Sequence, residues 1–171
     1  WCSDPSKVIR DAPTVGLPGD YFYSPMQLVG EWNSYDETIC SVDPSGRGTD
    51  ETAAAFLSQR NGLIYLHEMS AYRDGYSDST LLDILAKCRT YGVTSLVIET
   101  NFGDGIVGEL FKKHLINTKQ HINIEEVRAN VRKEDRIIDS LEPVLNQHRL
   151  IVDRGVIDWD YASNKDSPAE E

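Results

Sequence analysis

The sequence has no apolar run approaching the roughly 20 residues that a membrane-spanning helix needs, which excludes a helical transmembrane segment. It opens Trp1-Cys-Ser-Asp-Pro5, without Met, a basic leading stretch or an apolar core, as expected of an excised fragment rather than a secretory signal. Cysteine is scarce. Cys2, Cys40 and Cys88 are an odd, widely spaced set without CxxC, which argues against a disulfide scaffold or zinc site and for a reducing compartment. No GxxxxGK[ST] is present, so no nucleotide-binding P-loop is expected in this chain, even though Gly46 and Gly48 form a small glycine turn. His67, His114, His121 and His148 stand in no HExxH or Cys/His spacing, and no GxSxG elbow supports a serine hydrolase. All four histidines are expected in structural or surface roles, and His67 and Glu68, adjacent in a strand, are expected on opposite faces of it. Basic residues are also in deficit, 17 Lys and Arg against 28 Asp and Glu, a net charge of −11 that at first sight disfavours nucleic acid.

What is present fits one soluble globular domain with a single core: 171 residues, 40% hydrophobic and 26% charged. Residues 1–36 hold Pro5, Pro13, Pro18 and Pro25 and read as a linker or extended arm. Thr38–Asp43, Thr52–Ser58 and Leu63–Met69 are β-prone runs separated by turn signals at Pro44–Gly48 and Gln59–Gly62, although the Ala-rich second run also suits a helix. They predict an antiparallel three-strand meander. Asp74–Asp78 leads into a helix carrying Leu81, Leu82, Ile84, Leu85 and Cys88 and stopped by Gly92. Val93–Glu99 reads as a strand buried on both faces, as in a parallel sheet. A helix around Ile106–Leu115, a strand Ile122–Val127, a helix Arg136–Gln147 kinked or divided at Pro143, and a short strand Leu150–Val152 complete the series. The expected fold is α/β: a mixed sheet in which the meander is followed by parallel α/β units, flanked by helices. This element order is the one expected of an RNase H-like core, and other α/β arrangements remain open.

Asp43 ends the first strand and Glu99 the fourth. If those strands are parallel neighbours, both carboxylates converge at their carboxyl ends, where open α/β sheets bind ligands. Paired carboxylates supply the hard oxygen ligands that two Mg²⁺ ions need for phosphodiester hydrolysis. The alternative reading is that acids at strand ends are turn formers or helix caps. Asp50 and Asp104 are auxiliary candidates with the same alternative. Charge is uneven: residues 112–136 hold seven basic side chains (Lys112, Lys113, Lys119, Arg128, Arg132, Lys133, Arg136) against four acids, leaving −14 elsewhere. This stretch reads either as a phosphate-contacting strip or as a solvated face with pairs such as Arg132 and Asp135.

Four segments in order resemble the nuclease domain of a double-stranded DNA phage terminase large subunit, of the short-tailed phage type. They are Ser41-Val-Asp-Pro-Ser-Gly-Arg-Gly-Thr-Asp-Glu-Thr52, Tyr72-Arg-Asp-Gly-Tyr-Ser-Asp78, Glu99-Thr-Asn-Phe-Gly-Asp-Gly105 and Val131-Arg-Lys-Glu-Asp-Arg-Ile-Ile-Asp-Ser-Leu-Glu-Pro143. The resemblance implies an RNase H-like endonuclease over 37–161, preceded by the 1–36 arm and followed by a 162–171 acidic tail. It implies cutting of concatemeric DNA with two Mg²⁺ or Mn²⁺ ions held by Asp43 and Glu99. Lys112, Lys113, Arg128, Arg132, Lys133 and Arg136 would be the DNA-binding candidates. The implied partners are double-stranded DNA, the portal protein, the terminase small subunit and other copies in a motor ring, and ATP would serve only an N-terminal motor domain absent from this chain. The implied location is the host cytoplasm, at the procapsid portal. The family's third carboxylate lies in a later His-Asp-Asp-Arg-Leu-Asp-Ala-like stretch that this chain lacks, so weak or absent cutting is expected of it alone. Rival expectations are a non-catalytic portal or motor docking module, a junction resolvase, or a ribonuclease acting on hybrids.

Overall fold

A computed structural model describes residues 5–14, 19, 21–25, 34–45, 50–100, 105–128 and 132–165, with the backbone alone for Lys133 and Glu134. Six strands form one sheet: β1 (Glu37–Asp43), β2 (Thr52–Arg60), β3 (Leu63–Tyr72), β4 (Ser95–Glu99), β5 (Asn123–Val127) and β6 (Leu150–Val152), in the order β5-β4-β1-β2-β3-β6. The helices are α1 (Asp78–Tyr91), α2 (Ile106–Thr118), α3 (Lys133–Asn146) and α4 (Arg154–Asn164). β1, β2 and β3 are an antiparallel meander, while β4 and β5 extend the sheet in parallel from β1 and β6 pairs parallel to β3. The mixed RNase H-like sheet expected from the element order is the one observed, with the Ala-rich second run as a strand.

Strand alternation decides which face is core. Cys40 and Val42 of β1, Ala54 and Phe56 of β2, and Leu96 and Ile98 of β4 are buried against Leu81, Ile84, Leu85 and Cys88 of α1 and Val107, Phe111 and Leu115 of α2. Each large side chain buried here contributes about 1.5–3 kcal/mol; truncating Phe111, which is fully buried, to Ala costs about 3–5 kcal/mol because a cavity is left. The other face is more open: Ser41, Ala53, Met69 and Ala71 are exposed and Val97 half-buried. β4 is therefore not buried on both faces as its apolar run implied, because Ser95 and Val97 lie on that opposite side.

Helix ends follow their sequence signals. Ser77 caps α1 by accepting from the Thr80 amide, and Gly92, with φ +68°, ends it in the left-handed conformation that satisfies the last carbonyls. α3 continues through Pro143 as one helix rather than being divided there. Pro143 is exposed, so the helix carbonyl that loses its N–H partner there lies on the solvent side. The helix α4, unexpected from sequence, starts at Asp153, whose Oδ1 accepts from the Gly155 amide at 2.7 Å, and buries only Val156 and Ile157. Two adjacent buried positions in eleven leave almost no apolar stripe to read. The described part of the amino-terminal arm folds on itself through a Val8–Tyr23 antiparallel bridge, and Arg154 Nη2 reaches the Asp11 carbonyl at 2.8 Å.

A second correction concerns His67 and Glu68, expected on opposite faces of a regular strand. The β2–β3 register shifts between Phe56 and Leu57, which pair with Glu68 and Leu66 and leave His67 as an extra residue. This bulge turns both side chains toward α1. His67 stacks on Tyr91 and Glu68 accepts from the Tyr91 hydroxyl at 2.8 Å.

Candidate active site

β1 and β4 are adjacent and parallel, with Ile39 beside Ser95 and Val42 beside Ile98. One step further along the same register, Asp43 and Glu99 stand side by side at the carboxyl ends, on strands about 4.8 Å apart. Val42 and Ile98 point into the core, so both carboxylates point to the opposite, open face. Asp43 is exposed and pairs across the ladder with Ala53, whose small side chain leaves room beside it. Glu99 is more enclosed, its side chain 19% exposed, and its Oε2 lies 3.2 Å from Nη1 of Arg136 on α3.

The backbone around both acids is tied down. Buried Thr52 accepts from the Ser45 amide at 3.0 Å, closing the chain just after Asp43 onto the start of β2. The Thr100 amide donates to the Val127 carbonyl at 2.9 Å, and its hydroxyl donates to the same oxygen, which fixes the residue after Glu99 to β5. Thr52 and Thr100 were missed as positioning residues. They lie within the Ser41–Thr52 and Glu99–Gly105 motifs, but their role depends on pairings that only the fold creates.

The remaining candidates are dispersed. Asp50 is exposed and lines an open cavity of about 330 Å³ with Ser45, Arg73, Asp74, Tyr76 and Ser77 on the β1–β2 side of the site. Asp104 lies outside the described residues. Lys112 and Lys113 are on α2, Arg128 follows β5, and Arg132 precedes α3; all four are exposed. Lys112 is engaged by Glu109 at 2.6 Å, which raises its pKa above the ordinary lysine value. The Lys133 side chain is outside the described set. Of the basic candidates, Arg136 forms an ion pair with the strand-end acid Glu99, and among the described residues no ion pair joins Arg132 to Asp135. His67 and His114 are structural, as expected: His67 is bound to Ser58 and His114 to Asp78.

Two carboxylates on adjacent strand ends are a donor set suited to a hard divalent cation. The guanidinium of Arg136 against Glu99 is a sign that this corner already accepts positive charge. Among the described residues, no group of three or more His, Cys, Asp or Glu side chains is placed to hold a metal ion. The pair is thus a partial ligand set.

A mixed sheet in this order, with two acids on the neighbouring β1 and β4 ends, defines an RNase H-like nuclease fold. A solved structure with that fold, the human cytomegalovirus terminase nuclease domain (Mn soaked, inhibitor bound), is similar at a TM-score of 0.55 and 9% identity over 78% of this chain and 74% of that one. Residues 42–150 match the model of the bacteriophage T7 terminase ribonuclease H-like domain, and the chain belongs to that family. It is also 42% identical to the large terminase subunit of Enterobacteria phage T3 over 168 residues, 98% of this chain and 28% of that protein. The chain therefore spans little more than a quarter of its curated relative.

Proposed function

We propose that the chain is the endonuclease domain of a viral genome-packaging terminase, hydrolysing phosphodiester bonds of double-stranded DNA. The observation that carries this reading is the side-by-side placement of Asp43 and Glu99 on parallel strand ends in a terminase-family fold. Asp43 and Glu99 would hold Mg²⁺ or Mn²⁺, with Asp50 and Asp104 as auxiliary acids. Bound there, a pair of such ions would supply Lewis acidity for a water nucleophile and for the departing 3′-oxygen. The Mn-soaked relative supports the choice of ion class. Lys112, Lys113, Arg128, Arg132 and Lys133 are proposed to meet the DNA backbone, and Arg136 enters the same role from the site itself. The proposed setting is a packaging motor in the host cytoplasm, with portal protein, small subunit and further copies as partners; similarity to the large terminase subunit of phage T3 supports this reading.

The test is plasmid cleavage in Mn²⁺ or Mg²⁺ by the large subunit that carries this chain. Asp43→Ala and Glu99→Ala should each abolish cutting, and full cutting by both variants overturns the assignment. Junction and RNA–DNA hybrid substrates run alongside separate it from a resolvase or a ribonuclease. A docking role is the second reading, favoured by α3: Ile137, Ile138, Leu141 and Leu145 are each about half exposed on it. It predicts portal or self-association without metal-dependent cleavage.

A further inference from the structure

We propose that Arg136 is a built-in countercation for Glu99 that gives way to the divalent metal and then contacts the DNA backbone. It is a positioning residue for the site proposed above, and the inference rests on that reading. Three observations carry it. First, the Arg136–Glu99 pair joins α3 to the end of β4 at 3.2 Å, with side chains only 36% and 19% exposed. A carboxylate so enclosed needs a compensating charge, and in the metal-free protein Arg136 provides it.

Second, Arg136 stands in the first turn of α3, the helix end at which a cation is disfavoured by the macrodipole. Its placement is therefore poor for the helix and intelligible for Glu99. Third, α3 is held lightly. Among its described side chains only Val144 is buried, and the apolar residues flanking Arg136, Ile137 and Ile138, are about half exposed. Few packing contacts oppose a shift of its first turns.

One carboxylate cannot serve a guanidinium and a divalent cation equally, because the two positive charges repel at close range. Metal binding at Asp43 and Glu99 must therefore displace Arg136 or be weakened by it. Once displaced, its planar fork of donors remains at the edge of the site, suited to a phosphate oxygen pair.

The experiment measures Mn²⁺ binding to the 171-residue chain from the loss of the free-ion paramagnetic resonance signal, with Asp43→Asn marking the site. Arg136→Gln should bind Mn²⁺ about five- to tenfold more tightly than wild type, and Arg136→Lys should stay near wild type. In Ca²⁺, which substitutes for the reactive ion, DNA binding by Arg136→Gln should lose about one unit of the salt-dependence slope. As a check needing no variant, the Arg136 guanidinium resonance of wild type should shift as Mg²⁺ saturates the site. Unchanged or weaker Mn²⁺ affinity in Arg136→Gln, at a site still sensitive to Asp43→Asn, overturns this inference and spares the metal centre. An Arg136 resonance that stays fixed at Mg²⁺ saturation overturns it as well. Absence of any Asp43-sensitive Mn²⁺ binding in every variant overturns this inference, and its absence from the large subunit that carries this chain overturns the metal centre as well.

Discussion

Lys87 on α1 lies 2.7 Å from Glu68 on β3, and the pair clamps the first helix to the sheet. Glu68 also accepts from Tyr91 and Ser70, and Lys87 donates to Ser70 and meets Asp83 one helical turn away. Burial by itself would push the Glu68 carboxyl up, but the hydrogen bonds from Lys87, Tyr91 and Ser70 outweigh it and hold its pKa below the ordinary value of 4.5. Burial likewise works against the Lys87 ammonium, and the hydrogen bond to Glu68 more than reverses it, holding its pKa above 10.5. Tyr91, desolvated and bonded to Glu68, is pushed up to about 12.

These shifts set a pH window. A carboxyl depressed on folding contributes stability above its unfolded pKa and loses it as pH falls through the lower folded value. The lysine, raised on folding, contributes below its unfolded pKa and loses that as pH rises through the higher folded value. Stability from this clamp should therefore be level from about pH 5 to 10 and decline at both ends. Glu68→Gln should lower stability near pH 7 by about 2 kcal/mol, since it breaks a charge-assisted network. It should also flatten the acid limb between about pH 5 and 3. Urea melts across that range check both, and an acid limb as steep as wild type counts against the clamp.

Cys40 and Cys88 meet inside the core as free thiols, both fully buried. The Cys40 thiol is pushed well up, first by its hydrogen bond with Cys88 and then by burial. Neither should react with a thiol reagent in the native state, because reaction needs an exposed thiolate. Labelling should then follow global opening, and Glu68→Gln should speed it about 30-fold, the factor matching 2 kcal/mol. Rapid labelling of either cysteine in undenatured protein would contradict this packing.

The two proposed metal ligands should differ in what they do for stability. Asp43 is exposed, so Asp43→Asn should leave the melting temperature in chelator within about 1 °C of wild type. Glu99→Gln leaves Arg136 without its counter-charge beside an enclosed amide, and should cost about 0.5–1 kcal/mol. Thermal melts with and without Mn²⁺ separate this from the shared loss of cleavage.

The strands, the first three helices and the Asp43–Glu99 pair were legible because each has a local signature. Period-two alternation marks β1, a Ser cap and glycine stop bracket α1, and two acids end β-prone runs. The parallel pairing of β1 with β4 was needed to bring those acids together, and only the element order hinted at it. α4 was invisible, since its two buried positions, Val156 and Ile157, are adjacent and do not define a helical stripe. The facing of His67 and Glu68 was misjudged because a bulge leaves no mark in composition. The Arg136–Glu99 pair was equally hidden: a basic stretch shows that charges are near in sequence, while a partner 37 positions away depends on how α3 crosses the sheet end.

Two glycines of the helical layer should answer the same substitution in opposite ways. Gly92 has φ +68° at the end of α1, with open space where a Cβ would stand, so strain rather than crowding decides its cost. Gly92→Ala should lower stability by about 1 kcal/mol, since left-handed backbone favours glycine. Gly108 lies inside α2, where a Cβ would fall against Oε1 of Glu126. That oxygen is the tip of an exposed, flexible side chain on the edge strand β5 and can swing aside. Gly108→Ala should therefore be neutral or stabilising by up to about 1 kcal/mol, the helix-propensity gain of alanine. Denaturant melts of the two variants against wild type provide the comparison. A loss at Gly108 exceeding that at Gly92 would mean that the Glu126 carboxylate, lying over the first turn of a helix whose cap is a bare glycine, holds that turn in place.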